Sequence, residues 1–152
     1  MEASYQRLGV DDAHQIALLR QQMLEELSGA VIIPERLVQI QESITYNLKH
    51  GHCLVMGAFD KGRMIATAML CFYHGLPDED FESGLGGVLC NVYTLPGYRG
   101  KGIMTKLLEV MKQQAKADGV HEIILTAEEE AIPLYEKLGF SKLSRAMAMY
   151  LE

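Results

Sequence analysis

Apolar residues recur along this 152-residue chain with two different periods, and the period changes near residue 50. Ser4 to Leu8 has the length of a short strand. After it Ile16, Leu19, Met23 and Leu27 fall three or four apart, the spacing of one helix face, with Asp11 or Asp12 as the cap and Gly29 as the stop. A second helix starts near Pro34, a residue favoured in a first turn, and repeats Leu37, Ile40, Ile44 and Leu48 before His50-Gly51. The apolar runs then shorten and thicken. Cys53 to Phe59 and Met64 to Phe72 flank Asp60-Lys61-Gly62-Arg63 and predict an antiparallel hairpin. Tyr73 to Gly86 predicts a loop of a length that compact domains keep for function or mobility. Val88 to Thr94 predicts another strand.

A helical stripe follows at Ile103, Leu107, Met111 and Ala115, with Thr105, Lys106, Glu109, Lys112 and Lys116 on the water side and Gly119 at the end. Glu122 to Ala127 predicts a strand, Glu130 to Leu138 a helix broken by Gly139, and Arg145 to Leu151 a last strand. No linker, internal repeat or low-complexity tract interrupts residues 1–152, so the reading is one domain. At this length, with about half its residues apolar, the chain can bury a core without disulfide staples.

Between the strand ending at Thr94 and the helix starting near Ile103 lies Leu95-Pro96-Gly97-Tyr98-Arg99-Gly100-Lys101-Gly102. A strand, a glycine-rich basic turn and a helix in that order build an anion site. Pro96 stops the strand, and Gly100 and Gly102 let a ligand approach the backbone. The first helical turn then offers N–H groups without intrahelical partners at the positive end of the helix dipole. The spacing does not fit a P-loop, which needs Lys then Ser or Thr at a fixed distance from its first glycine. A dinucleotide fingerprint would need a third glycine where Thr105 stands.

Arg99-Gly100-Lys101-Gly102-Ile103-Met104 resembles instead the pyrophosphate-binding turn of the GNAT superfamily of N-acetyltransferases: Arg or Gln, two residues, Gly, one residue, then Gly or Ala. Met104 stands where a small residue is usual. Ala131-Ile132-Pro133-Leu134-Tyr135-Glu136-Lys137-Leu138-Gly139-Phe140 is similar to a second segment of that superfamily, A-x-x-L-Y-x-K-x-G-F. Two motifs in the right order and separation weigh more than either alone, since a glycine turn or a packed Leu-Tyr pair is by itself commonly structural.

The resemblance implies an α/β (α+β) fold with a mixed central sheet covered by helices on both faces. It also implies that the strand ending at Thr94 and the strand from Glu122 splay apart. Acetyl-CoA is then the co-substrate, its arm pairing with Asn91, Val92, Tyr93 and Thr94, its phosphates held by Arg99, Gly100, Lys101, Gly102, Ile103 and Met104. The implied reaction is direct acetyl transfer to a primary amine of a small molecule or peptide, and a non-catalytic acyl-CoA-binding sensor is the alternative. Tyr135 is the candidate acid for the leaving thiolate, because a phenol of pKa about 10 can donate to a thiolate whose conjugate acid has pKa about 8.5. A backbone N–H near Val92 is the candidate oxyanion donor, and Asn91 can hold a water. No carboxylate occupies the central strand to serve as base. Tyr73, His74 and Glu82 border the acceptor loop and are weak candidates, and Glu128 stands where an Asn often contacts the arm.

Charge and cysteine content narrow the partners. A formal net charge of −6 with one local basic spot argues against general nucleic-acid binding. No apolar run is long enough to span a bilayer, and the N-terminus has no basic stretch followed by an apolar core, so the expected location is the cytoplasm. Cys53, Cys71 and Cys90 lie in strand-like runs without metal-ligand spacing, which suits a reducing compartment and gives no metal site. His50 and His52 beside Cys53 read as a turn. The state of assembly, monomer or homodimer, stays open at this stage.

Overall fold

The computed structural model describes Met1–Leu151. One five-stranded sheet runs in the order β1(Ser4–Arg7), β2(Cys53–Asp60), β3(Arg63–His74), β4(Leu85–Thr94), β5(Glu122–Ile124). Every neighbour pair is antiparallel except β4 with β5, which is parallel. The turn between β2 and β3 places Lys61 at φ 49° and Gly62 at φ 82°, the two left-handed residues that a tight hairpin requires. Helices α1(Ala13–Ser28) and α2(Pro34–Lys49) cover one face, and α3(Ile103–Ala117) covers the other. Ile16 of α1, Leu54 and Val55 of β2, Ile65 and Leu70 of β3, and Leu107 and Met111 of α3 are fully buried in the core.

The stripes predicted for the helices hold, with one exception. Gly29 ends α1 in the left-handed conformation, its N–H bonded to Glu25 O, and Ile103, Leu107, Met111 and Ala115 of α3 are all buried. Leu27 is 69% exposed instead of core and lines an open cleft beside the end of α1. Asp12 works one turn earlier than expected: its carboxylate accepts the Gly9 N–H and closes a 3-10 turn, Val10–Asp12, ahead of the helix.

The predicted loop from Tyr73 to Gly86 shrinks, because both strands extend into it. Only 75–84 is irregular. Gly75 N–H donates to Gly84 O, the Asp78 carboxylate accepts the N–H groups of Asp80 and Phe81, and the Phe81 ring packs beside Tyr73 and His121. This is a locally bonded hairpin tip.

Two strand expectations are corrected. The strand predicted for Glu122 to Ala127 stops at Ile124, because its partner β4 pairs with it only at Gly86, Gly87 and Val88 and then diverges. The strand predicted for Arg145 to Leu151 is absent. Those residues are not assigned to a sheet, and Met147, Met149, Tyr150 and Leu151 are highly exposed. A β5 of three residues offers too short a ladder to hold it. The helix predicted for Glu130 to Leu138 divides into a 3-10 turn, Glu129–Ala131, and α4(Ile132–Lys137), with Pro133 in the first turn.

The sheet tolerates no side chain at Gly87 of β4, where a Cβ would lie 2.5 Å from Cδ1 of the fully buried Leu70. Gly87→Ala should therefore cost about 1–3 kcal/mol by overpacking, a fall of several degrees in Tm at roughly 2–4 °C per kcal/mol. Gly97→Ala, with open space around its Cβ position, should leave Tm unchanged. Equal melting of the two variants would show that Leu70 can yield.

Candidate active site

Beyond Val88, β4 keeps β3 on one side but has no strand on the other, so the edge from Leu89 to Thr94 faces an opening. A β-bulge marks this stretch: Cys90 pairs with Met69 and Tyr93 with Thr67, which leaves Asn91 and Val92 opposite Ala68 alone. Asn91 takes φ 52°, a left-handed conformation that Asn accepts more readily than most residues. A bulge bends its strand and frees main-chain groups from the ladder. Here it bends the strand beside the opening.

The phosphate-type turn is anchored at both ends. Leu95 N–H donates to Ile65 O at 2.9 Å, Pro96–Tyr98 forms a 3-10 turn, and the Tyr98 hydroxyl donates to Asp60 at 3.1 Å. Gly100 and Gly102 take φ 73° and 77°, and no protein atom lies within 4 Å of where a Cβ would be built on either. The space belongs to the cleft. The first α-helical bond runs from Lys106 N–H to Gly102 O, so the N–H groups of the preceding turn point out of the helix end without intrahelical acceptors.

These pieces enclose a cleft of about 730 Å³. Its walls bring together Asn91, Val92, Tyr93, Thr94, Arg99, Gly100, Gly102, Ile103, Met104 and Tyr135, all predicted from the sequence. Lys101 is the exception: it is exposed and places its ammonium 5.5 Å from the Tyr98 ring centroid, outside the wall. Tyr73, His74 and Glu82 are not in the cleft. Tyr73 bonds Glu122 instead, and burial and that carboxylate push its hydroxyl up to about 12.

Tyr135 stands on α4, its ring in an edge-to-face contact with Phe140 at 5.6 Å. Burial alone raises its pKa, so the phenol is protonated at neutral pH, and no protein group among the described residues bonds its hydroxyl. Glu128 also reaches the wall and is accompanied there by Glu130.

Three features were missed from sequence. Arg99 is not a free cation: its Nε donates to Thr94 O at 2.8 Å, its Nη2 pairs with Glu26 of α1 at 2.8 Å, and its guanidinium lies 5.3 Å from the Tyr93 ring centroid. Glu26 itself faces the cleft and accepts the Tyr93 hydroxyl at 3.3 Å. It is a carboxylate at the cleft wall that comes from α1 and not from the central strand. Third, Arg20 of α1 donates from Nη1 to Asn91 Oδ1 at 3.2 Å. Its signal was in the pattern, since Arg20 falls four after Ile16 and three before Met23, a charge on the sheet-facing stripe.

The three thiols form a row across β2, β3 and β4. Cys53 lies opposite Cys71, and Cys71 Sγ is 3.5 Å from Cys90 Sγ; all three are free. The hydrogen bond from Cys90 pulls the Cys71 thiol down to about 7, burial working against it and the Arg20 charge with it. Cys90 is pushed up by the same bond. Burial pushes Cys53 up to about 11.

The Acetyltransferase (GNAT) family model matches residues 19–140, which takes in the part of α1 from Leu19 onward, the bulged strand, the glycine turn and Tyr135. The chain belongs to the GNAT acetyltransferase family. It is 34% identical over 99 residues to N-alpha-acetyltransferase 30 of Schizosaccharomyces pombe, a match covering 62% of this chain and 61% of that one. It is 34% identical over 90 residues to glucosamine 6-phosphate N-acetyltransferase of Trypanosoma brucei brucei, covering 59% of each. The chain thus spans about three fifths of the length of these relatives. Among solved structures, a predicted acetyltransferase with acetyl-CoA from Clostridium acetobutylicum superposes with a TM-score of 0.85 at 24% identity, covering 98% of this chain and 96% of that one. At that identity the likeness shows the GNAT fold, an α+β mixed sheet with helices on both faces, and the fold expected from the sequence is the one observed.

Because the thiolate is the reactive form, Cys71 should be alkylated by iodoacetamide with a half-maximal rate near pH 7, while Cys53 and Cys90 stay largely unmodified there. Peptide mass spectrometry across pH 6 to pH 10 reads this directly. Cys90→Ala should move the Cys71 midpoint upward. A midpoint near the ordinary thiol value in the unchanged protein would show that the Cys71–Cys90 bond is not made.

Proposed function

We propose that this GNAT family member is an acetyl-CoA-dependent N-acetyltransferase that moves an acetyl group directly to a primary amine. The observation that carries the reading is the convergence on one cleft of an unpaired strand edge, a left-handed glycine turn at a helix N-terminus and an unbonded tyrosine hydroxyl. The described residues fit the coenzyme on their own terms. The edge from Leu89 to Thr94 has main-chain groups to offer an amide-bearing arm, as a neighbouring strand would. The open turn at Gly100 and Gly102 has N–H groups for phosphates. Acetyl-CoA, when bound, supplies an acetyl group activated as a thioester.

The residues divide the remaining work. Main chain freed by the bulge at Asn91 and Val92 would offer an N–H to the acetyl oxygen of a bound thioester. Asn91 orients a water or the acceptor. Tyr135, held protonated by burial and fixed by Phe140, gives a proton to the departing sulfur. Glu26, paired with Arg99 and accepting from the Tyr93 hydroxyl, fixes the α1 wall, and the acceptor attacks as the neutral amine, its proton passing to water as the C–N bond forms and the C–S bond breaks. The Arg99 side chain holds the turn in place, and the phosphates are left to the main chain, the helix dipole and Lys101.

A binding-only sensor would need the same turn but gives no use to an unbonded Tyr135 hydroxyl in the cleft. The relatives named as N-alpha-acetyltransferase and glucosamine 6-phosphate N-acetyltransferase support the transfer chemistry and differ from each other in acceptor.

Tyr135→Phe should lower kcat by about 10²-fold or more while changing the acetyl-CoA Kd only a few-fold, as expected for loss of a general acid. Calorimetric titration and thiol release over an amine panel measure the two quantities, and undiminished kcat would remove Tyr135 from the acid role. Gly102→Glu should abolish acetyl-CoA binding, because it forces a carboxylate and a left-handed Cβ into the turn. Unchanged binding in that variant would move the phosphate site elsewhere.

A further inference from the structure

Asn91 is only 6% exposed, yet its amide nitrogen Nδ2 has no hydrogen-bond partner among the described residues. An orphaned buried donor is destabilising, and this one sits in a left-handed backbone conformation that is itself strained for a residue with a Cβ. The other end of the same amide accepts from Arg20. Arg20 is half-buried between α1 and the sheet, and among the described residues no carboxylate lies within 4.0 Å of it. One charged donor and one orphaned donor therefore meet at the Asn91 side chain, which lies in the cleft wall, and among the described residues no acceptor takes up the donors left over. Guanidinium groups bind planar oxyanions in a two-pronged geometry, and an adjacent amide N–H extends that fork.

We propose that Arg20 and Asn91 form a subsite for an anionic group, a carboxylate or a phosphate, carried by the amine acceptor. This rests on the acetyl-transfer reading above and adds the substrate class to it. Glu26, six residues further along α1, faces the cleft beside Tyr93. Its two carboxylate oxygens are already engaged, one by Arg99 and one by the Tyr93 hydroxyl.

The neighbouring thiol gives a test that needs no turnover. Cys71 is within the electrostatic reach of Arg20, so its labelling by anionic iodoacetate is compared with that by neutral iodoacetamide. The ratio of the two rates cancels any change in thiolate fraction. The wild-type ratio should exceed that of Arg20→Gln by about tenfold at low salt, one nearby charge's worth, while Arg20→Lys keeps part of the preference. Added acetate and inorganic phosphate should each suppress iodoacetate labelling in the wild type alone, and the stronger competitor names the anion. The melting temperature of Arg20→Gln establishes that the variant is folded. No difference in ratio between wild type and a folded Arg20→Gln overturns the subsite, as does an absence of competition by both anions. Thiol release with matched acceptors, glycine against glycinamide and O-phosphoethanolamine against ethanolamine, tests the transfer reading separately. A chain that holds the anion but releases no thiol would sink that reading alone, and one that releases thiol without an Arg20-dependent preference would sink the subsite alone.

Discussion

The constraint on which the site depends is the extra residue in β4. A regular strand from Leu85 to Thr94 would continue its parallel ladder with β5, and the cleft would close. The left-handed turn at Asn91 inserts one residue against β3, and no pairing with β5 extends beyond Val88. The strand edge beyond it is then unpaired in the middle of the molecule. Unpaired main chain is tolerated inside a fold only where something else will satisfy it. An amide-rich arm lying along that edge answers the need.

Arg99 joins the two ends of the site. Its bonds to Thr94 O and Glu26 link the end of the bulged strand, the glycine turn and the last turns of α1. Glu25 meanwhile accepts the Ile32 N–H and fixes the connection from α1 to α2. An exposed ion pair contributes little to stability, and Arg99 and Glu26 are each nearly half exposed. Its importance is positional: the glycine turn and the α1 wall share one side chain, so a shift in either is felt by the other.

The fold was legible in the sequence wherever a segment carries its own period or its own turn residue. Ile103, Leu107, Met111 and Ala115 announce α3, Lys61-Gly62 announces the hairpin, and both occur as read. Arg145 to Leu151 alternates like a strand and is none, because a strand needs a partner edge and the three-residue β5 supplies too little of one. The turn and Tyr135 were legible because each sits in a local motif. Arg20 and Glu26 were not, because their significance comes from contacts 71 residues away at Asn91 and 73 residues away at Arg99. No local period encodes such contacts. The one clue was a cation on an otherwise sheet-facing stripe, and a single residue on a stripe reads as tolerance of a long side chain before it reads as function.

On the proposed reading an acidic protein binds a polyphosphate and an anionic acceptor, which looks electrostatically contradictory, and distance resolves it. The formal charge of −6 is spread over the surface of a 152-residue chain, and at physiological ionic strength each exposed charge is screened beyond about 8 Å. What an incoming anion feels inside the cleft is set by groups in direct contact. At the phosphate end Arg99 is already neutralised by Glu26, which leaves unpaired N–H groups, the α3 dipole and Lys101 at the rim. Beside Asn91, Arg20 has no carboxylate within 4.0 Å among the described residues and is half-buried, a setting where a single guanidinium is worth several times its value in water. The net charge therefore governs solubility and long-range approach, while the proposed binding rests on short-range groups: the α3 N-terminus with Lys101 at its rim, and Arg20 beside Asn91.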